Sequence, residues 1–554
     1  MINSPSREHD SFVILGKQRQ ESCQMLKFWS PFEYQNLKSH IFDEMNRYVP
    51  VTESHLPEEH TMNTHPETTS NPNHSPIRFT HQAISPDILQ RAMGALLGSA
   101  VGDALGAPFE FGPSNQYSAQ FPQPVLGGLG EMIGGGSFGW APGEFTDDTQ
   151  MTLALAESLL AQGSLDLDDL WTRFVAWRDG ATDVGIATSR ALSASDRFEA
   201  ARNDVAHPGR SASNGALMRT WAIALAYLGH STEEVMTAAR TQASMTHFDP
   251  AAGWGAAIGT ELCRRAILGG DAIKQIDDVL SYLPNDQRIR FSEILSPDWA
   301  PGNHDEPSNG SVWTCLAEAV WAVRNHSNYS DVVTAAIDLG GDTDTVACVA
   351  GALAGATYGI QGIPSRWMTY INGSINTPDG RKTYDFLGLQ NIARKLIGSK
   401  EAVLTTREEP KTPQKVDENF AVYATDLGGA LLSDSSFATV SLCLTGGELA
   451  HHPIRREFYI RDNEGDANLD LLTLVRDAVD SMEALLAEGH QVLVHCHGGR
   501  SRTGLILKAW AMRQYDFDDE EADAWVAQRW PYYATWNETF LDFLKDEWNV
   551  NRRR

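Results

Sequence analysis

The sequence predicts two folded parts of different class in one chain: an all-α bundle over residues 86–400, then an α/β part over residues 419–554. From Ser85 to about residue 400 the apolar residues recur at helical spacing, with no convincing alternating strands. Residues 401–418 (EAVLTTREEPKTPQKVDE) are polar, hold Pro410 and Pro413 and lack apolar periodicity, which reads as a linker. After them, strand-like and helix-like stretches alternate. The length, 554 residues, fits roughly three or four domain-sized pieces. A composition of 42% hydrophobic and 21% charged residues is that of a globular protein.

The charge balance narrows the function classes. Lys and Arg number 44 against 72 Asp and Glu, a formal charge of -28. Such a chain lacks the basic face that displaces counterions from nucleic acid, and the basic patch that docks on anionic lipid. No nucleic-acid and no membrane partner is expected. Net charge still leaves room for a local cationic pocket. The first 25 residues hold one short apolar run, Phe12 to Leu15, too small for a signal-peptide core. The stretch Val346–Ile360 is shorter than a bilayer span and reads as a buried core helix. Six scattered cysteines (23, 263, 315, 348, 443 and 496) without a CxxC pair form neither a disulfide framework nor a zinc site, so a reducing, cytoplasmic compartment is expected.

Residues 1–85 read as an N-terminal extension, partly disordered. Seven of the 17 histidines lie there, but without helical i, i+4 pairing, so loop composition explains them better than metal binding. Prolines 50, 57, 66, 72 and 76 interrupt regular elements, while Leu37, Ile41 and Met45 suggest one short amphipathic helix. The bundle then starts cleanly: Ser85 caps, Pro86 suits the first position and Asp87 favours the positive end of the dipole. Glycines follow at i+4 steps, Gly94, Gly98, Gly102 and Gly106, and later Gly351, Gly355 and Gly359. Each costs about 1 kcal/mol of helix propensity relative to Ala, and the expected return is close backbone approach around a shared site. In the α/β part, Ala438–Leu444 reads as a strand. Leu472, Val475, Val479, Met482 and Leu486 mark a helix that Gly489 ends. The strand QVLVHC (491–496), a glycine-bearing loop and the helix TGLILKAWAM (503–512) complete it, a succession that suits phosphate.

Two acidic clusters stand directly before apolar helical runs: Thr146-Asp147-Asp148-Thr149 and Asp342-Thr343-Asp344-Thr345. At a helix entrance the chain is still turning, so several oxygens can converge. Four carboxylates with threonine hydroxyls and no His or Cys form a set for hard cations, Mg, Mn or Ca. Without a cation such a gathering is costly, because like charges resist joint ionisation. The alternative is that both clusters are ordinary N-caps.

Six ordered motifs bear on that choice: GALLGSAVGDALGAPFEF (94–111), FTDDTQMTLALAESLL (145–160), DVGIAT (183–188), SNGALMR (213–219), THFDP (246–250) and GGDTDT (340–345). Together they resemble the ADP-ribosylglycohydrolase family, over roughly residues 86–400. The resemblance implies an all-α fold with two divalent cations, Mg or Mn, held by Thr146, Asp147, Asp148, Asp342, Asp344 and Thr345. It implies hydrolysis of the bond between the anomeric carbon of ADP-ribose and a side chain, arginine favoured, with an ADP-ribosylated protein or ADP-ribose conjugate as partner. Glu110 matches the family's mobile glutamate near the metals, and Asp183 an aspartate of catalysis or substrate positioning. Ser211, Asn214 and Gly215 would lie on the loop that receives the diphosphate. This loop holds less glycine than in some relatives. His247 would lie near the adenosine or distal ribose.

The second candidate site is His495-Cys496-His497-Gly498-Gly499-Arg500-Ser501-Arg502-Thr503-Gly504. A strand delivers Cys496 to a loop whose amides can point inward, and the following helix dipole favours a nucleophilic thiolate. The amides of His497, Gly498 and Gly499 would surround a phosphoryl group, and Arg502 would grip two of its oxygens. The pattern H-C-x-x-G-x-x-R-T resembles cysteine-dependent phosphatases of the dual-specificity type, over about residues 419–550. The resemblance implies attack by Cys496 without a cofactor, with Asp462 as the acid and Asp466 in reserve. Thr503 would bond the thiolate and His495 would set the loop. The partner would be a phosphorylated protein or a small phosphate ester. The whole chain is thus expected to be a bifunctional hydrolase, the rivals being an ADP-ribose reader or a chain with one active half.

Overall fold

A seam of small residues fixes the centre of the helical part. The computed structural model describes residues 84–206, 212–302, 308–399, 409–445, 449–465 and 467–552. The main helices of the first part are α1 (Pro86–Gly106), α2 (Asp147–Gln162), α3 (Leu167–Arg178), α4 (Trp221–Ala226), α5 (Thr232–Ala243), α6 (Pro250–Ile267), α7 (Val312–Asn325), α8 (Tyr329–Ile337), α9 (Thr343–Tyr358) and α10 (Phe386–Leu396). The start of α1 is the expected one, with Ser85 Oγ accepting from Ile88 N at 3.2 Å. A Cβ at Gly94 would stand 2.2 Å from Gly355 O, at Gly98 2.4 Å from Gly351 O, and at Gly102 2.0 Å from Ala347 O. At Gly106 it would stand 2.5 Å from the Cα of Asp344. Rising numbers on α1 meet falling numbers on α9, so the helices run antiparallel in backbone contact. The seam therefore brings the entrance of α9, with its aspartates, to the exit of α1. The expected core helix at Val346–Ile360 is this α9, buried almost throughout. Pro86–Phe109 is long and apolar enough to cross a membrane by length and composition alone, but 94% of the apolar window is buried inside the protein.

The all-α expectation needs one correction. Strands β1 (Asn372–Thr377) and β2 (Gly380–Asp385) form an antiparallel hairpin within the helical part. It docks on α2 through Glu157, which meets Lys382 Nζ at 2.6 Å and accepts from the Tyr384 hydroxyl at 2.6 Å. The pattern hides it because the buried face of β1 carries Gly373, Ile375 and Thr377, only one of them strongly apolar. The turn signal was Asp379-Gly380, where Gly380 takes φ +117°.

The second part is a five-stranded sheet of β3 (Gln414–Lys415), β4 (Val422–Asp426), β5 (Phe437–Ser441), β6 (Arg455–Glu457) and β7 (Gln491–Cys496), in the order β3-β4-β7-β5-β6. All neighbours are parallel except β3 with β4. The two helices expected from the sequence are α11 (Leu471–Ala487) and α12 (Ser501–Gln514), and both pack on β7. Val422, Ala424, Val440, Val492 and Val494 build a core of their own with α11 and α12.

The linker expectation also needs correction. Residues 401–408 lie outside the described residues, but 409–418 fold into the sheet edge. Gln414 and Lys415 pair with Ala424 and Tyr423. Val416 is 2% exposed, and Lys411 is buried with its Nζ 3.2 Å from Asp426 Oδ2. The charge at Lys411 answers the buried Asp426 rather than solvent. The two parts are also in contact: Leu444 and Tyr459 join the core of the helical part. Arg456 donates to Leu126 O and to the Tyr370 hydroxyl, and Ser365 N donates to Asp477. The expected features of residues 1–83, together with Ser211 and Asp466, lie outside the described residues.

Candidate functional site

Asp103, inside α1, anchors the first acidic turn. Its carboxylate accepts from Thr146 N at 2.9 Å, Thr149 N at 3.0 Å and Thr149 Oγ1 at 2.6 Å. It therefore caps α2 from another helix. Neither Thr146 nor Asp342, the residues at the two cap positions, makes a side-chain capping bond. The N-cap alternative thus fails for Thr146 and Asp342, while Asp344 Oδ1 does accept from Thr345 N at 2.9 Å in the first turn of its own helix.

The second turn is tied to the exit of α1. Phe111 N donates to Gly341 O at 2.7 Å and Gly341 N to Gly112 O at 3.0 Å, which sets Glu110 beside Asp342. Gly340 and Gly341 take φ +78° and +74°, a conformation that glycine adopts without strain. Asn309 accepts from Asp342 N at 3.0 Å, and Asn214 Nδ2 donates to Asp342 Oδ2 at 2.8 Å.

The two turns meet. Thr146 Oγ1 lies 3.4 Å from Asp148 Oδ2 and 3.5 Å from Asp344 Oδ2, and Thr345 Oγ1 lies 3.5 Å from Asp148 Oδ2. Carboxylate oxygens of Glu110, Asp342 and Asp344 all lie within 4.8 Å of one another. Burial, then the charge of neighbouring carboxylates, raises Asp147, Asp148 and Asp344 well above the ordinary carboxylate range. Burial, then Asp342, Asp183 and Asp103, pushes Glu110 up to about 8. Asp183, half-buried before the helix Ile186–Leu192, is raised by burial and by Asp342. Asp148 Oδ1 and Glu110 Oε2 are buried without a hydrogen-bond partner. Carboxylates raised by burial and then by one another's charge, with orphaned oxygens, fit a divalent cation of the hard, oxygen-preferring kind.

The remaining expected residues shape the loop beside this cluster. Asn214 uses its amide on Asp342 and on Asn309 O, and its backbone N–H on Gly310 O. His247 is buried with Nε2 2.8 Å from Ser213 Oγ and Nδ1 2.8 Å from Thr246 Oγ1. A Cβ at Gly215 would stand 2.9 Å from its ring. Burial and Arg219 lower His247 to about 3, so it stays neutral. It acts on the loop from beneath, with both ring nitrogens engaged. Sequence reasoning missed Asp103 and Asn309. Asp103 had a signal, the one acid beyond the first turn of a glycine-stepped apolar helix; Asn309 had none.

The cysteine loop stands apart, at the carboxyl end of β7. Gly499 takes φ +62° against Thr425 O, and its own carbonyl accepts from Trp530 Nε1 at 2.5 Å. His495 is buried against Ser441 Oγ at 2.7 Å and lowered by burial to about 3. His497 is likewise lowered, to about 4, by burial and Arg502. Arg502 donates to Leu442 O and Ile460 O at 3.1 Å, and its Nε lies 3.5 Å from Asp462 Oδ2. Burial works against its charge, but Cys496, Cys443 and Asp462 raise its pKa overall. His497 Nδ1 and Thr503 Oγ1 are buried and unpartnered, and Gly498 lies against the Arg500 side chain.

A family model of ADP-ribosylglycohydrolases matches residues 84–401. The chain is 31% identical over 312 residues to the ADP-ribosyl-dinitrogen reductase glycohydrolase of Rhodospirillum rubrum, covering 55% of this chain and 99% of that protein. It is 33% identical over 293 residues to the ADP-ribosylarginine hydrolase Tri1 of Pseudomonas putida, covering 51% of this chain and 74% of that protein. The ADP-ribosylhydrolase ARH3 of Bos taurus is 28% identical over 344 residues, covering 52% and 90%. All six motifs read from the sequence fall inside the matched span, and on that ground the chain belongs to the ADP-ribosylglycohydrolase family.

Proposed function

We propose that the helical part is a hydrolase of ADP-ribose conjugates that uses two divalent cations, Mg or Mn, and acts on ADP-ribosylated arginine. The observation that carries this is the convergence of two distant acidic turns on buried, unpartnered oxygens. Thr146, Asp147, Asp148, Asp342, Asp344 and Thr345 would hold the cations. Bound there, they would hold ribose hydroxyls and lower the pKa of a water. Asp103 and Asn309 keep the two turns in register, and Asn214 orients Asp342. Glu110 Oε2 takes a proton from the water whose oxygen bonds to the anomeric carbon as the carbon–nitrogen bond breaks, and then returns that proton to the departing guanidine nitrogen. Asp183 extends the negative rim, which suits a cationic guanidinium over a neutral acceptor. The relative from R. rubrum, named as an ADP-ribosyl glycohydrolase, and that from P. putida, named as an ADP-ribosylarginine hydrolase, support the same reading. The test is release of ADP-ribose from modified arginine with Mg or Mn, with and without chelator. Binding without turnover would favour a reader, and turnover indifferent to chelator would overturn the metal assignment.

We infer a second activity at Cys496, phosphomonoester hydrolysis. It is favoured by Arg502 and Asp462 meeting beside the loop, with His497 Nδ1 and Thr503 Oγ1 unpartnered there. The sulfur would bond to phosphorus as the P–O bond breaks, Asp462 giving its proton to the leaving oxygen. Water would then release phosphate from the phosphocysteine, with Thr503 bonding the departing thiolate. A phosphorylated protein and a small phosphate ester both suit the loop. Cys496→Ser should abolish hydrolysis of p-nitrophenyl phosphate and leave ADP-ribose release unchanged; hydrolysis surviving the change would refute this reading.

A further inference from the structure

The acid assigned to the cysteine reaction sits on a stretch held from two sides: Phe458 and Ile460 join the sheet's own core and Phe458 N donates to Ser441 O at 2.8 Å, while the helical part grips the rest. After β6 the described residues 458–465 and 467–470 form no helix or strand. A stretch of this kind is ordinarily exposed and mobile. Here Phe458, Tyr459, Ile460 and Ala467 are buried, and two glutamines of the helical part reach into it. Gln361 lies on the tight turn Ile360–Gly362 that follows α9, and is 2% exposed. Its Nε2 donates to Tyr459 O at 3.0 Å and to Asn468 Oδ1 at 2.8 Å, and its Oε1 accepts from Leu469 N at 2.6 Å. Gln90, fully buried on α1, donates to Ala467 O at 2.6 Å. Asn468 in turn closes the base of the loop, accepting from Arg461 N and donating to Arg461 O, both at 3.0 Å. The next residue is Asp462, which faces Arg502 and accepts from Asn537 Nδ2 at 3.2 Å.

One side chain thus binds the entry and the exit of the loop, and it belongs to the other catalytic part. We propose that Gln361, seconded by Gln90, is a positioning residue for Asp462, so that the glycohydrolase fold sets the general acid of the cysteine-loop reaction. This rests on reading the Cys496 loop as a phosphatase. The step affected is the first one: the sulfur–phosphorus bond forms, the P–O bond breaks, and the Asp462 proton goes to the leaving oxygen. A poor leaving group needs that proton; p-nitrophenolate hardly does. A loosened loop therefore weakens the acid without weakening phosphate binding by Arg502.

The experiment compares the full chain with Gln361→Met, which keeps the packing and removes the hydrogen bonds, and with Gln90→Met, which removes one tether. Turnover of phenyl phosphate and of p-nitrophenyl phosphate is measured, with ADP-ribose release as the control for folding. For Gln361→Met, kcat on phenyl phosphate should fall at least about tenfold with KM little changed, a part of the 100-fold or more that general acids supply. The p-nitrophenyl ester should be nearly unaffected, Gln90→Met should show the same split more weakly, and neither change should add to Asp462→Asn. Equal losses on both esters, no loss on either, or full additivity with Asp462→Asn would overturn the clamp while leaving the cysteine reading intact. Turnover of either ester that persists in Cys496→Ser would instead overturn the phosphatase reading, and the clamp with it.

Discussion

The two candidate sites are built in opposite ways. The cysteine loop is contiguous: His495 to Thr503 lie on one strand end, one turn and one helix start, and Gly499 provides the left-handed corner. The acidic site is assembled from turns whose Thr146 and Asp344 are 198 positions apart, brought together by the glycine seam of α1 and α9. A contiguous site needs its own strand and loop to be right. A convergent site needs the whole helical packing to be right, and it collects like charges that protons or a cation must offset. Separate chemistries should therefore respond separately to site mutations, while packing mutations should fall on the convergent site first.

The largest expected effect tests that separation. Asp148→Asn or Asp344→Asn should lower ADP-ribose release by more than about 100-fold, the upper range for losing a residue that merely supports a metal ligand. Neither should change p-nitrophenyl phosphate hydrolysis, and loss of both activities together would refute independent sites. Next comes the seam. Gly355→Ala would place a Cβ 1.9 Å from Gly94 O, backbone that cannot step aside. Overpacking of this kind costs about 3 kcal/mol. Chemical denaturation should report it, with ADP-ribose release lost at lower temperature than ester hydrolysis. Simultaneous loss would mean that the two cores unfold as one.

A third prediction concerns pH. Asp147, Asp148 and Asp344 are raised well above ordinary carboxylates and Glu110 to about 8, burial being the first cause in each. Carboxylates raised in the folded state favour folding while protonated and oppose it as pH climbs through their folded pKa. The metal-free chain should thus lose stability from about pH 4, where free carboxylates titrate, towards pH 8. The Tm gain on adding Mg or Mn should widen over the same interval, because the cation replaces protons. A gain independent of pH would show that these carboxylates do not bind it. The smallest effect lies outside both sites: Ser85→Ala removes the cap of α1 and should cost about 1 kcal/mol without altering either activity at 25 °C.

Much of this was readable along the chain. Ser85, the glycine steps, the two acidic turns and the strand–loop–helix around Cys496 depend on neighbours within about one helical turn or one strand, so composition and spacing reveal them. The hairpin 372–385 escaped because its buried face holds Gly373 and Thr377, whose burial comes from α2 and α3 rather than from their own hydrophobicity. Residues 409–418 passed for a linker because Lys411 is polar, although its partner Asp426 is buried. Asp103 carried a faint signal, and Gln361 carried none, since a glutamine that holds a distant loop looks like any other glutamine. The chain order alone therefore set which chemical groups are available and which local turns present them. Their meeting, Asp148 with Asp344 and Gln361 with the Asp462 loop, was decided by packing across distant positions. Such contacts leave no periodic trace, because the energy that selects them belongs to surfaces formed only after the helices have docked.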